Sequence, residues 1–221
     1  MLARIVAVLP AIVPLLTTGL QAQGAPARHG DMPLQVRSIG RLRLNQDNLA
    51  SVSERVGPVS PWETGDAGDS RVWWCYRNSS DSILTILLAS SSGEMGGPNH
   101  EVDQITLLRG PGADTLASHC ATASLGRLST PDGIRLGISK ADALRLLGRP
   151  SRQTASMLRY EWEAEVPLAT TDPNYRYWNG RRAECFDGRA PFVDVFSEAV
   201  LQFGANGAQR ITIERNDESM C

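Results

Sequence analysis

Hydrolytic chemistry is the first possibility that the residue types of this sequence raise. The Gly/Ser-rich stretch SSSG at 90–93 contains Ser92, and His100 lies a few residues further along the chain. A serine hydroxyl close to a histidine base is the usual form of an activated nucleophile. The other histidines, His29 and His119, lie elsewhere, and no GxSxG, HExxH, phosphate-binding or dinucleotide-binding glycine pattern occurs. The sequence therefore favours a non-catalytic protein, and a secreted hydrolase that uses the Ser92 and His100 region is the alternative.

Three glutamates, Glu161, Glu163 and Glu165, occupy alternate positions of one segment. Paired carboxylates can act as general acid and general base. Alternate residues of a strand share one side, however, and Arg159 lies on the same side as these glutamates. We therefore interpret the row as a hydrated surface.

The four cysteines are Cys75, Cys120, Cys185 and Cys221. An even number in an exported chain predicts two disulfides, for which three pairings are possible. The spacings are wide and no CxxC pair occurs, so we expect no zinc site, and the sequence implies no other metal or cofactor.

The first residues, MLARIVAVLPAIVPLLTTGLQAQG, predict export. An early positive charge, an apolar run and then small and polar residues form the pattern of a secretory signal peptide over residues 1–24. The apolar run is shorter than the about 20 residues that a transmembrane helix needs. We therefore expect a periplasmic or secreted protein without a membrane span. The net charge of −2 gives no sign of the clustered basic surface that binds nucleic acid.

Two helices are predicted, and each precedes a set of strands. In NQDNLASVSERVGP, Leu49, Val52 and Val56 form one apolar stripe, Asn45 is the expected cap, and Gly57-Pro58 ends the helix. The second helix, in LGISKADALRLLGRP (136–150), begins with a capping box of Ser139 and Asp142 and ends at Gly148.

Alternating apolar and polar residues predict three strands after each helix. The predicted strands are 72–77, 83–89 and 102–108 in the first half, and 157–165, 198–203 and 209–215 in the second. Asn206-Gly207 favours a type I′ turn between the last two. We therefore predict an α+β fold of two tandem units, each a helix and an antiparallel meander, which share or abut one sheet with the helices on one face. The predicted parts are a flexible arm (25–41), a first unit (42–110), a linker (111–132) and a second unit (133–221).

The second half resembles known proteins in GISKADALRLLGRP (137–150), LRYEWE (158–163) and LQFGANGAQRITI (201–213). These segments are similar to the SmpA/OmlA domain of outer-membrane lipoproteins and to the tandem fold of β-lactamase inhibitory proteins. The resemblance implies a shared sheet with helices on one side. It also implies that the partner is another protein, either an envelope assembly component or an enzyme that is inhibited. This chain lacks the acylated cysteine of the lipoproteins.

The adjacent tryptophans Trp73 and Trp74 must point to opposite faces of their strand. The predicted inner set of the first unit is Val72, Trp74, Tyr76, Leu84, Ile86, Leu88, Ile105 and Leu107. The predicted outer set is Trp73, Cys75, Thr85, Leu87, Thr106 and Leu108, and an outer face this apolar is usually covered. Two covers remain open: a helix of the linker at 114–123, fastened by a Cys75–Cys120 disulfide, or another protein that contacts Trp73 and Leu87.

The insertion at 167–191 is the second predicted binding surface. It is rich in aromatic residues and arginine, the composition of interaction hot spots. The candidate contact residues are Tyr175, Tyr177, Trp178, Arg181 and Arg182. Alternatively, the insertion is an extended hairpin that folds back on the sheet and is held by a Cys185–Cys221 disulfide.

Overall fold

The computed structural model describes residues 27–65, 70–81, 85–92, 101–172 and 174–218. The helices are α1 (Leu49–Val56), α2 (Pro111–Leu116), α3 (Lys140–Leu147), α4 (Tyr175–Gly180) and α5 (Arg182–Cys185), and residues Ala117–His119 form a 3₁₀ turn. The strands are β1 (Arg28–His29), β2 (Ser38–Ile39), β3 (Leu42–Arg43), β4 (Trp62–Thr64), β5 (Arg71–Asn78), β6 (Thr85–Ser92), β7 (Gln104–Arg109), β8 (Ala121–Ala123), β9 (Arg152–Gln153), β10 (Met157–Pro167), β11 (Phe192–Gly204) and β12 (Gly207–Glu218).

One mixed sheet of ten strands dominates this fold of mixed α and β structure. Its order is β1-β10-β11-β12-β7-β6-β5-β4, with β8 paired to β5 and β9 paired to β10, while β2 and β3 form a separate hairpin. Two antiparallel meanders, β5-β6-β7 and β10-β11-β12, therefore meet where β7 pairs with β12. At this junction Thr106 lies opposite Thr212, and their hydroxyl oxygens are 3.1 Å apart.

The two predicted helices both form, but α1 begins later than expected. Asn48 caps α1 in a capping box with Ser51, whose backbone N–H donates to Asn48 Oδ1 at 2.7 Å. The prediction that Asn45 caps this helix is wrong, because Asn45 lies in a turn with φ of 52°. The Ser139 cap and the end of α3 at Gly148 are confirmed, because Ser139 Oγ accepts from the Asp142 N–H at 3.0 Å. The reciprocal half of the predicted capping box is absent, since the Asp142 carboxylate accepts from the Ser139 hydroxyl at 2.8 Å in place of the Ser139 backbone N–H.

The main core lies on the face of the sheet that carries α1 and α3. It also contains Met32, Val36 and Ile39 from the N-terminal segment, all of which are buried. The prediction of a flexible arm is therefore wrong for residues 27–41. The segment lacks a regular period because it packs as an irregular chain. Within the described residues it pairs with the sheet only through β1 and β10, which are distant in sequence.

The faces of β5 and of the second meander were predicted correctly, but those of β6 were inverted. Leu87 and Ala89 belong to the main core, whereas Ile86 and Leu88 face the other side. Leu87 is only 1% exposed, so the prediction that it contacts a partner is wrong. The reason is that β6 is buried on both sides, and a strand buried on both sides has no readable period of two.

The linker covers the outer face of the first meander. Ala113 of α2, together with Leu116 and Ala117, packs in a second apolar cluster that contains Ile86, Leu88 and Leu108. The predicted Cys75–Cys120 disulfide is present. The helix starts three residues earlier than the predicted 114–123, since Pro111 takes its first position, where proline is favoured. Consequently α2 lies opposite α1 and α3, and the helices are not all on one face.

The hairpin between β11 and β12 turns through Ala205 and Asn206. The type I′ prediction is wrong, since that turn needs positive φ at both central residues and the positive φ occurs instead at Gly207 (86°). A Cβ atom at Gly207 would lie 2.5 Å from the Gly137 carbonyl oxygen. The glycine therefore permits β12 to start against the segment that leads into α3.

No helix within the described residues is both long and apolar enough to cross a membrane.

Candidate functional site

The outer face of the second meander is open to solvent, unlike that of the first. Glu163, Phe196 and Arg210 are exposed on it. Phe196 is 42% exposed, and the backbone alternation of β11 places it on the same face as Glu198. A shallow groove of about 260 Å³ runs along this face.

Ion pairs hold most of the charged side chains of this face in position. Arg159 forms a salt bridge with Glu198 and lies 3.4 Å from Glu161. The hydrogen bond to Glu198 raises the pKa of Arg159 above its ordinary value. Glu214 accepts from Gln104 Nε2 at 2.6 Å and pairs with Arg71 at 3.3 Å. The predicted glutamate row is thus part of an exposed face whose charges are largely paired within the sheet.

The insertion forms two short helices at the tip of the β10–β11 hairpin. Phe186 is buried against Phe192 with ring centroids 5.2 Å apart, and Trp178 meets the edge of Phe186 at 6.3 Å. Tyr177 in turn lies 4.8 Å from Trp178. These aromatic rings connect the tip of the insertion to the sheet, so the insertion is not the extended hairpin of the alternative prediction.

Tyr177 is 57% exposed although its hydroxyl group is held in place. Arg181 donates to the Tyr177 hydroxyl at 2.7 Å and to Glu184 at 3.1 Å, and its guanidinium carbon lies 5.6 Å from the tyrosine ring. The hydrogen bond to Glu184 is the main cause that raises the pKa of Arg181. Of the other predicted contact residues, Tyr175 and Trp178 are half-buried and Arg182 is exposed.

A second contact joins the insertion to the open sheet face. Arg189 pairs with Glu165 at 2.7 Å, and its guanidinium carbon lies 4.4 Å from the centroid of Phe192. Glu165 belongs to the glutamate row on the open face. Phe192 is four residues from Phe196 along β11, so the two side chains lie on the same face of the sheet. The insertion and the open face therefore form one continuous surface, which we call the tip surface.

The first-unit surface predicted at Trp73 is occupied by the chain itself. Trp73 stacks on Trp62 with ring centroids 6.1 Å apart, and its Nε1 donates to Thr64 Oγ1 at 3.0 Å. The linker packs against the same cluster through Leu116 and Cys120. Of the two predicted covers, the internal one is therefore present, while Trp73 is only half-buried and its contact with a partner stays a prediction.

Two further predictions fall on residues outside the described part of the chain. Cys185 is disulfide-bonded, but its predicted partner Cys221 is not among the described residues. His100 is also outside them, and of Ser92 only the backbone at the end of β6 is described. The hydrolase alternative therefore stays a prediction.

Phe196 is the residue of the tip surface that the sequence analysis missed. The predicted strand began at residue 198, whereas β11 begins at Phe192. The signal was present, because in FVDVF the valines Val193 and Val195 alternate with Asp194. Phe192 and Phe196 lie on the same side of the strand as Asp194, so that side is not uniformly polar and the alternation is hard to recognise.

The geometry of the tip surface is the basis on which a function can be assigned. It presents an exposed tyrosine on a fixed aromatic support, beside a charged sheet face with an exposed phenylalanine. Searches of protein families, of characterised proteins and of solved structures found no match for this chain.

Proposed function

We propose that this chain is an exported, non-catalytic protein-binding module whose tip surface contacts the partner. The observation that carries this proposal is the exposure of Tyr177 in an insertion whose other aromatic rings are packed. Tyrosine, tryptophan and arginine are enriched in the few interface residues that provide most of the binding energy. Here Tyr177, Trp178 and Arg181 lie in direct contact.

The support beneath Tyr177 lowers the cost of binding. An interface side chain that is already ordered loses less conformational entropy when a partner docks on it. The contact with Trp178 and the hydrogen bond from Arg181 supply that order before binding. Among the described residues, the large apolar side chains classed as exposed are Leu34, Tyr177 and Phe196, and the last two belong to the tip surface.

The two meanders are, we propose, copies of one unit, as in the families that the second half resembles. Matching contacts support this relation. The Tyr76 hydroxyl donates to the Gly57 carbonyl at the end of α1 at 3.0 Å, and the Tyr160 hydroxyl donates to the Gly148 carbonyl at the end of α3 at 3.2 Å. The resemblance suggests an envelope assembly component or an inhibited enzyme as the partner.

Export to the periplasm or the cell exterior is supported by the Cys75–Cys120 disulfide, because such bonds persist in oxidising compartments. The predicted signal peptide at 1–24 lies outside the described residues. In the proposed duplication, the first unit spans 42–110 and the second spans 133–221.

Photo-cross-linking tests the tip surface directly. A photoreactive phenylalanine analogue replaces Tyr177 in one variant and Leu34 in the control. Leu34 is more exposed than Tyr177, at 68% against 57%, but lies outside the tip surface. We expect one protein to cross-link from position 177 and not from position 34, as identified by mass spectrometry. The proposal is wrong if position 177 reacts only within its own chain, or if both positions capture the same proteins.

Substitution then measures the contribution of the tyrosine. With the captured partner, Tyr177→Ala should weaken binding by about 30-fold, the effect of a hot spot of about 2 kcal/mol. Leu34→Ala should leave the affinity unchanged. Ser92→Ala and His100→Ala should also leave it unchanged, whereas in a hydrolase they would abolish turnover.

A further inference from the structure

A basic cleft lies on a different part of the molecule, where the linker meets the ends of β5, β6 and β7. Its volume is about 490 Å³. The lining residues that matter here are Asp81, Arg109, Arg127, Leu128, Arg135 and Leu136. We refer to this set as the basic cleft.

The charges of the residues that line the basic cleft do not cancel. The three arginines contribute +3 and Asp81 contributes −1, which leaves +2. Within the described residues, none of the three guanidinium groups forms an ion pair with a carboxylate. Asp81 is itself engaged, because its Oδ2 accepts from Asn78 Nδ2 at 2.9 Å. Asp142 interacts electrostatically with Arg135 without forming an ion pair with it, so the lining of the cleft keeps a net positive charge.

Two of the arginines are oriented by neutral carbonyl groups. Arg109 donates through Nη2 to the Asn206 carbonyl. Its guanidinium group also packs closely against Gly137, where an added Cβ atom would lie 2.9 Å from Nη1. Arg135 donates through Nη1 to the Gly133 carbonyl at 3.3 Å. Carbonyl contacts orient a guanidinium group without removing its charge, and the remaining N–H groups can donate to an anion.

We propose that the basic cleft binds a phosphate monoester. A phosphate monoester carries a charge of about −1.5 to −2 at neutral pH, which matches the +2 of the cleft better than a single carboxylate does. Guanidinium groups bind phosphate oxygens through paired, charge-assisted hydrogen bonds. The half-buried side chains of Leu128 and Leu136 form an apolar wall for the organic part of the ligand.

A titration with inorganic phosphate, followed by amide resonances in NMR spectra at constant ionic strength, tests the cleft. We expect saturable shifts at Gly126–Leu128 and Arg135–Leu136. Arg127→Gln and Arg135→Gln should each weaken binding by about tenfold, the lower limit for one charge-assisted hydrogen bond. Arg152→Gln is the matched control, because Arg152 is exposed on β9 and lies outside the cleft.

A substitution that removes a negative charge should strengthen phosphate binding. It therefore shows whether weaker binding in the arginine variants is a general effect of charge removal on folding. Asp81→Asn removes the one negative charge of the cleft and keeps an oxygen for Asn78, so phosphate should bind about twofold or more tightly. Equal weakening of phosphate binding by Arg152→Gln would overturn the proposal.

A second set of measurements identifies the source of the phosphate group. Vesicles that contain phosphatidic acid are compared with vesicles of phosphatidylcholine alone. Sedimentation with phosphatidic acid that depends on Arg127 and Arg135 would indicate a lipid headgroup, and saturable binding of inorganic phosphate alone would indicate a soluble phosphate monoester. Either result supports the cleft, and failure of both contradicts it. Tyr177→Ala should not change phosphate binding, so this test is independent of the tip surface.

Discussion

Tyr76 and Tyr160 each link the sheet to the end of a helix. Each phenol is buried, and each hydroxyl group donates a hydrogen bond to the carbonyl of the glycine that ends α1 or α3. Burial raises the pKa of both tyrosines from 10.0 to about 12. The folded state therefore favours the neutral phenol at both positions.

This preference predicts loss of stability in alkaline solution. The folded-state pKa is above the ordinary value of 10.0, so the stabilisation is complete below pH 10 and is lost as the pH rises from 10 towards 12. The free energy of unfolding should fall by up to about 1.4 kcal/mol per pH unit for each tyrosine. Urea denaturation at a series of pH values measures this slope.

Phenylalanine substitutions separate these tyrosines from other alkaline effects. Tyr76→Phe and Tyr160→Phe should each cost about 1 kcal/mol at neutral pH, the value of a typical hydrogen bond, and reduce the alkaline slope. Tyr175→Phe is the control and should leave the slope unchanged. Equal slopes in all three variants and the parent protein would contradict the assignment.

At the level of elements, the sequence was most informative where a local signal is complete. The helix α3 has its cap, apolar face and terminating glycine within one stretch, and β10 alternates along most of its length, so both were predicted closely. The sequence was least informative where burial is two-sided, as in β6, or where two caps compete. Asn45 and Asn48 are the same residue type three positions apart, and only the turn geometry selects Asn48.

Removal of the Ser139 hydroxyl tests the cap of α3. Ser139→Ala should lower the free energy of unfolding by about 1 kcal/mol. The Ser139 hydroxyl is also the main cause that lowers the pKa of Asp142, so the same substitution should raise that pKa, as followed by NMR. Ser118→Ala, at an exposed position outside the helices α2 and α3, should change neither quantity.

The Cys75–Cys120 disulfide fastens α2 over an apolar face, and its removal should expose that face. The bond closes a loop with a sequence separation of 45 residues. Chain entropy predicts a loss of about 4 kcal/mol in the double variant C75A/C120A. Urea denaturation measures the loss, and increased binding of an apolar dye would report exposure of Ile86 and Leu88. Unchanged stability would mean that packing alone holds the linker.

At the scale of the whole molecule, β7 and β12 join the two meanders into one sheet. Tryptophans report on both sides of this junction: Trp62, Trp73 and Trp74 lie in the first half, and Trp162 and Trp178 lie in the second. The junction itself left no sequence signal, because the pairing of Thr106 with Thr212 joins residues that are far apart along the chain. The same reason explains why the pairing of Arg28 with Trp162 was not predicted.

A shared sheet predicts that both halves unfold together. Tryptophan fluorescence and far-ultraviolet circular dichroism should give the same urea midpoint, as expected for a single cooperative unit. The fluorescence midpoint should also be the same in a Trp162→Phe variant and in a Trp74→Phe variant, once each midpoint is corrected for the effect of the substitution on stability. Two separated transitions would show that the halves are independent.

The outermost long strands, β5 and β10, are each flanked by two short strands. β4 and β8 pair with β5, and β9 and β1 pair with β10, and in each case one short strand is antiparallel and the other parallel. Long exposed edges recruit further chains and seed fibrils. Here strands of two or three residues interrupt the outer edges of β5 and β10, so that neither edge is a continuous long template. The protein should therefore remain monodisperse in concentrated solution despite its extensive β structure.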